Sequence, residues 1–381
     1  MAFIRFRFFE SGGTRTPLNG PARSIERQGH KGSSTLTTLQ MGRGLAAFAV
    51  AAFHLSLMMG LARYGGVPVL QHWTQHGSLG VYFFFVLSGF IILMAHYDDI
   101  GRPARLRRYL WRRFVRVYPI YWLYTGVFVA LVLAGLGNNT PMPSTATGWL
   151  SAFTLIRFSA EAPPIGPAWT LFHEVAFYAI FGLLILNRRV GLLVMGLWLV
   201  VCVVLWHYPP DDGRTALAVY TAAYSAQFAL GMLAYLAYRH LHWRACIALG
   251  VAGLAVLGAA YYTSDSFPPP FQWTCGFAGL LLICASAERR SGLRAPGWLR
   301  YIGDASYSLY LLHIALIGLL LKVAIETGLA EAVGGLGTFA LTLVGATLLA
   351  CLAYRMVEAP MLRALRSGVH FGSRRSPPVP K

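Results

Sequence analysis

Apolar runs of about twenty residues alternate with short polar intervals from residue 39 to residue 357. They predict helices at about 39–61, 78–97, 117–136, 167–186, 190–207, 217–238, 243–262, 271–287, 304–325 and 334–357. A bilayer core of roughly 30 Å needs about twenty apolar residues in helical form. The segment 146–158 is too short and too broken to span, and reads as an interfacial or re-entrant piece. The pattern predicts an all-α polytopic membrane protein with about ten transmembrane helices. No internal repeat of the inverted-repeat transporter kind is visible.

Charge orients these helices. Cations gather before the first run (Arg5 to Lys31), in the second interval (Arg102 to Arg116), and then at Arg188 and Arg189, Arg239 and Arg244, and Arg289 to Arg300. A last group follows the final run, from Arg363 to Lys381. The intervening intervals hold only Arg63, Arg157 and Arg214, among Glu161, Asp211, Asp212, Asp265 and Glu331. Cation-rich intervals stay cytoplasmic, so an even helix count places both termini in the cytoplasm.

Composition agrees: 56% of residues are hydrophobic and 12% charged, about half the charge of a soluble domain. The net charge of +18 comes almost wholly from residues outside the apolar runs. It suits loops on an anionic leaflet, so membrane lipids are the expected partner and nucleic acid is not. Cys202, Cys246, Cys275, Cys284 and Cys351 are scattered without CxxC or Cys/His spacing and read as small buried hydrophobes; no metal is implied. Residues 1–36 read as a disordered cytoplasmic arm, lacking the apolar core of a cleaved signal peptide; a start near Met41 is equally compatible. Residues 37–366 form the membrane domain, and 367–381 a cytoplasmic tail.

Four stretches carry polar groups that a lipid-facing helix avoids. Arg43 and His54 are eleven positions apart, hence within roughly 20° on one helix face and about 16 Å apart along it. His54, expected near mid-depth, has the intrinsic basicity for general-base work; a packed, hydrogen-bonded histidine is the bland alternative. Arg113 and Arg116, three apart at a helix entry, form a phosphate clamp or simply obey the positive-inside rule. Trp169, His173, Glu174 and Tyr178 share one helix, with Glu174 roughly 10 Å down it and Tyr178 one turn further. That carboxylate needs a cation, a donor or a polar substrate. Ser306, Tyr310 and His313 fall at i, i+4 and i+7, a stripe that interhelical hydrogen bonding explains equally well. Glu358-Ala-Pro360 closes the last helix as a structural terminator.

Taken together, these stretches resemble the membrane acyltransferase-3 family, from about residue 36 to 366. The resemblance runs through Leu39-Gln-Met-Gly-Arg43 to His54 and Phe84-Phe-Val-Leu-Ser88-Gly89-Phe90. It continues through Arg113-Phe-Val-Arg116 with Pro119 and Tyr121, and Trp169-Thr-Leu-Phe-His-Glu174-Val-Ala-Phe177-Tyr178. Ser306-Tyr307 to His313 and Glu358-Ala-Pro360 complete it. The family includes bacterial O-acetyltransferases of exopolysaccharide, O-antigen and peptidoglycan. It implies a bacterial inner-membrane enzyme with acetyl-CoA as acyl donor and a carbohydrate hydroxyl as acceptor. His54 would be the catalytic base, Arg43 its companion, and Glu174 a catalytic group toward the acceptor. Arg113 and Arg116 would hold the donor's phosphates, with Trp169, Tyr178, Tyr307 and His313 binding substrate.

Some family members carry a second, extracytoplasmic hydrolase-like domain. This chain continues only some fifteen residues past Arg366, so the expectation is single-chain acylation of a lipid-linked sugar or a polysaccharide. The rival reading is a transporter or flippase of a polysaccharide precursor, using the same His and Glu for proton coupling; a flippase has no need of the paired arginines. Oligomeric state is not legible.

Overall fold

A computed structural model describes residues 36–135, 142–207, 215–263 and 270–367. The expected arm and tail thus lie outside the described residues, apart from their inner ends. Among the described residues there are helices and turns but no strand.

Among the described residues ten helical stretches are long and apolar enough to cross a membrane, each built around one of ten α-helices. They are α1 (Thr37–Met59), α2 (Gly80–His96), α3 (Leu106–Leu133), α4 (Trp169–Leu186) and α5 (Arg188–His207). Then follow α6 (Tyr224–His240), α7 (Trp243–Thr263), α8 (Pro270–Ser291), α9 (Ser306–Glu326) and α10 (Leu329–Ala353). The chain is a multi-pass membrane protein in which each predicted apolar run corresponds to one of these helices.

One end of the bundle collects the cation-rich turns. Gly101 N donates to Leu184 O at the end of α4. The Tyr97 hydroxyl meets His240 Nε2 at 3.1 Å, Arg239 pairs with Asp98 at 3.6 Å, and Arg289 Nη1 donates to Tyr238 O at 2.6 Å. The ends of α2, α4, α6 and α8 therefore share one side with the start of α1. That start is fixed by a carboxylate from another helix: Glu288 accepts the backbone and hydroxyl hydrogens of Thr37 and Thr38 at 2.7–2.9 Å. An anion there satisfies exposed N–H groups and complements the helix dipole.

α2 and α6 pack almost backbone to backbone. A β-carbon at Gly89 would overlap the Phe228 carbonyl, and one at Gly231 the Val86 carbonyl. Around this approach Phe228 stacks on Phe177 with centroids 4.0 Å apart and meets Phe85 edge-on at 5.0 Å.

Two local features depart from the plain hydropathy reading, and a third agrees with it. α3 begins at Leu106 rather than near 117, so Arg113 and Arg116 lie about 10 and 15 Å inside a helix and not at its entry. Hydropathy places the start where the arginines end; the helix continues through them, with both half-buried and Arg113 beside His96. The nine-residue helix Ala146–Thr154 is too short to span. Tyr118, Tyr121 and Trp122 of α3 donate to its last carbonyls, at Thr154, Ala152 and Phe153. α10 breaks at Gly334, where φ is 70°, close to its predicted start, and ends in a π-helical turn, Tyr354–Glu358. The short helix Ala359–Ser367 then leads back onto α3.

Candidate active site

α1 carries His54 seventeen residues beyond Thr37, about 26 Å along the helix and roughly 9 Å past its centre. α1 and α9 pack together, which brings His313 against it. His313 Nε2 lies 3.2 Å from His54 Nδ1, with ring centroids 4.8 Å apart. His54 Nδ1 is also 2.9 Å from Val50 O, and His313 Nδ1 is 2.7 Å from Tyr310 O. His313 is buried and His54 half-buried.

The half-exposed edge of His54 faces a cavity of about 410 Å³. Phe53, Tyr82, Trp169, Tyr224, Tyr310 and His313 contribute to its wall, with Ser78, Leu79, Gly166 and Pro167 at the ends of α2 and α4 remote from the cation-rich turns. Trp169 and Tyr224 rings stand 5.4 Å apart. Thr170 Oγ1 donates to the Tyr310 hydroxyl at 3.0 Å.

From the cation-rich end a polar seam runs inward between α1, α3, α4 and α9. Arg43 lies in the fields of Arg116, Glu358, Asp304 and Glu174. Its Nη1 donates to Gln40 Oε1 at 3.1 Å, and Gln40 Nε2 donates to Asp304 at 2.8 Å. Asp304 closes the short helix Gly297–Asp304, whose Gly303 packs against the Gln40 backbone. Burial pushes the Asp304 carboxyl above its usual range, against the opposing pull of Arg43, Arg300 and Arg116. Glu174 accepts the hydroxyl hydrogen of Tyr178 one turn on. Tyr178 in turn lies under Arg113, whose guanidinium carbon is 5.5 Å from the ring centroid. Tyr307 donates to Val117 O at 2.9 Å, near the break that Pro119 makes in the α3 ladder.

The structure thus places the predicted residues in two groups. His54, His313 and Trp169 line the cavity. Arg43, Arg113, Arg116, Glu174, Tyr178 and Tyr307 occupy the seam. No three His, Cys, Asp or Glu side chains form a metal-ligand set among the described residues.

Three contributors were not singled out from sequence, and a fourth was given only a structural role. Tyr82 and Tyr224 sit in apolar, aromatic-rich runs that gave no signal. His96, buried at the end of α2, bridges Asp99 Oδ2 at 2.9 Å and Arg113 Nη2 at 3.4 Å; its i, i+3 spacing from Asp99 was the available signal. Glu358, read as a terminator, is buried and accepts from Ser308 Oγ at 2.6 Å, with the Tyr124 hydroxyl 2.7 Å from that Oγ.

Comparison with known proteins decides the family. The family model described as an acyltransferase domain matches residues 37–355. The chain belongs to the acyltransferase-3 family. It is an enzyme that transfers acyl groups other than amino-acyl groups. The acyltransferase is 32% identical over 313 residues to the exopolysaccharide production protein ExoZ of Rhizobium meliloti, covering 78% of this chain and 93% of that protein. It is 29% identical over 365 residues to the acyltransferase MdmB of Streptomyces mycarofaciens, covering 85% and 90%. With the peptidoglycan O-acetyltransferase OatA of Listeria monocytogenes it shares 25% identity over 360 residues, 84% of this chain and 54% of OatA. No solved structure matches the chain.

Proposed function

We propose that this acyltransferase moves an acyl group, acetyl in the simplest case, from cytosolic acyl-CoA to a hydroxyl of a cell-envelope or exported carbohydrate. The names of ExoZ and OatA support a carbohydrate acceptor, either a lipid-linked sugar or a polysaccharide. The cation-rich end, with both termini, faces the cytoplasm of a bacterial inner membrane.

The observation that supports the reading is that one helix, α1, carries Arg43 within the seam and His54 on the cavity wall. Arg113 and Arg116 hold the donor's phosphates, and Arg43 continues the positive lining. An extended phosphopantetheine arm matches the roughly 16 Å rise from Arg43 to His54, and so presents its thioester beside the imidazole. Tyr178 and Tyr307 contact the substrate as it passes Glu174, while Trp169 binds the acceptor within the cavity and the carbon edge of His313 forms part of the wall it lies against. His54 takes the proton of the acceptor hydroxyl as the oxygen attacks the thioester carbon. The C–O bond forms, the C–S bond breaks, and His54 returns the proton to the departing thiolate. Glu174 acts from the acceptor side of the seam. General-base assistance of this kind contributes about 10²–10⁴-fold.

The test is acetyl-CoA turnover by purified protein in lipid. His54→Ala should lower turnover at least about 100-fold, and wild-type turnover by that variant would sink the reading.

A further inference from the structure

The contact between the two motif histidines fixes where their protons sit. His313 Nδ1 lies 2.7 Å from the Tyr310 carbonyl oxygen. A carbonyl only accepts, so Nδ1 carries the hydrogen and, in a neutral ring, Nε2 is a bare acceptor. That Nε2 lies 3.2 Å from His54 Nδ1. The other neighbour of His54 Nδ1 is the Val50 carbonyl oxygen, at 2.9 Å. Both neighbours accept, so the proton of neutral His54 belongs on Nδ1. Its Nε2 then carries the lone pair, and it has no hydrogen-bond partner among the described residues while its ring lines the cavity. Val50 O already serves the α1 backbone ladder as the i−4 acceptor. His313 Nε2 has no such competing donor.

We infer that His313 is a positioning residue: it holds His54 in the tautomer that presents an unprotonated Nε2 to an acceptor hydroxyl in the cavity. Once Nε2 has taken the hydroxyl proton, His313 still accepts the Nδ1 hydrogen and so steadies the imidazolium through the tetrahedral stage. The proton returns from Nε2 to the thiolate, and His313 remains neutral throughout. This inference rests on His54 acting as the base.

Two substitutions separate the contacts of His313. His313→Gln sets an amide oxygen near the former Nε2 and keeps an acceptor for His54. His313→Asn sets its amide near the former Nδ1, keeping the tie to Tyr310 but leaving His54 with Val50 O alone. The full chain is reconstituted in vesicles of native-membrane lipid, and transfer of label from radiolabelled acetyl-CoA is followed. His313→Asn should lower kcat about 10–100-fold with the KM for acetyl-CoA within about twofold, and His313→Gln should recover to within about threefold of wild type. Wild-type kcat in His313→Asn, equal loss in both variants, or an effect on KM alone overturns the inference. ¹⁵N-histidine NMR of the wild-type chain is the second measurement, independent of substrate and of how the variants fold. It should show His54 Nε2 unprotonated, and a protonated Nε2 overturns the inference. The two levels fail separately. Full activity in His54→Ala removes the proposed base, whereas a dead His54→Ala beside a fully active His313→Asn removes only the role of His313.

Discussion

Arg113 can be displaced without being mutated, through His96. His96 is 2% exposed, with Nδ1 2.9 Å from Asp99 Oδ2 and Nε2 3.4 Å from Arg113 Nη2. The carboxylate takes the Nδ1 hydrogen, so Nε2 accepts from the guanidinium. Asp99 is drawn the other way by Arg105 at 3.9 Å. In His96→Leu both contacts of the imidazole end, and the guanidinium keeps only the ring faces of Tyr109 and Tyr178, at 6.0 and 5.5 Å. Its Nε is already buried without a hydrogen-bond partner, so no second anchor takes over. A 3.4 Å contact is long, which puts its worth near 1 kcal/mol rather than the upper range for charged partners. Re-ordering a loosened arginine on a phosphate costs about 1–1.5 kcal/mol. A loss of that size raises the KM for acetyl-CoA about 5–10-fold. At saturating donor, kcat should stay within about twofold, since the proposed base sits at the other end of the seam. Initial rates against acetyl-CoA concentration in vesicles measure both quantities. His96→Gln, whose amide oxygen stands near the lost Nε2, should restore most of the affinity. An unchanged KM in His96→Leu would refute the coupling of His96 to a donor-binding Arg113, and so would a fall in kcat at constant KM.

Three further outcomes are expected. Gly231→Ala should cost about 1–3 kcal/mol, because the new methyl meets the Val86 backbone and forces α2 and α6 apart. Gly126→Ala, with nothing within 4 Å of the added carbon, should gain up to about 1 kcal/mol; thermal unfolding in one detergent compares the pair. Ser308→Ala removes the donor to the Glu358 carboxylate and should destabilise the fold by about 1.5–3 kcal/mol, while Ser308→Thr should lose less in the same thermal assay. Glu161 accepts from Thr145 and Ser144, which hold its carboxyl below its usual range. The order it confers is therefore complete above the unfolded carboxylate range and lost as pH falls through the lowered value. Hydrogen exchange over 144–161, corrected for intrinsic rate, should show that loss in wild type and a flat profile in Glu161→Gln.

The membrane helices were legible because a span is a local property. Twenty apolar residues announce it wherever their neighbours lie, and the alternating cations of the turns reappear together at one end of the bundle. What a run of hydropathy could not report is which polar residues inside a helix turn inward. It placed the start of α3 after Arg116, since it counts a half-buried arginine as loop. It passed over Glu358, whose burial depends on the π-helical turn at Tyr354–Glu358 and on Ser308 fifty residues away. His54 and His313 were each visible as an imidazole on an apolar helix. Their contact spans 259 positions, and only the packing of α1 on α9 creates it. The family motifs named most of the seam because they record the outcome of packing without its geometry.

The bland alternative for the seam was a set of structural ion pairs. Arg43, Arg113 and Arg116 share the interior with Asp304, Glu174 and Glu358, a near balance of charge. A structural pair brings guanidinium and carboxylate together within about 4 Å, commonly in a bidentate fork. Among the described residues, no ion pair of that length involves any of these six; Arg105 pairs with Asp99 and Arg239 with Asp98 at the cation-rich turns. Glu174 is taken by a tyrosine and Glu358 by a serine, while Arg113 leans on a histidine and two rings. The carboxylates therefore offset the arginines through the field rather than by contact. Attraction through the field is weaker than a contact pair but persists inside a bundle of low dielectric. It leaves most of the N–H groups of these arginines uncommitted. Arginines held in this way keep the fork that a pyrophosphate requires, which a set of closed salt bridges would not.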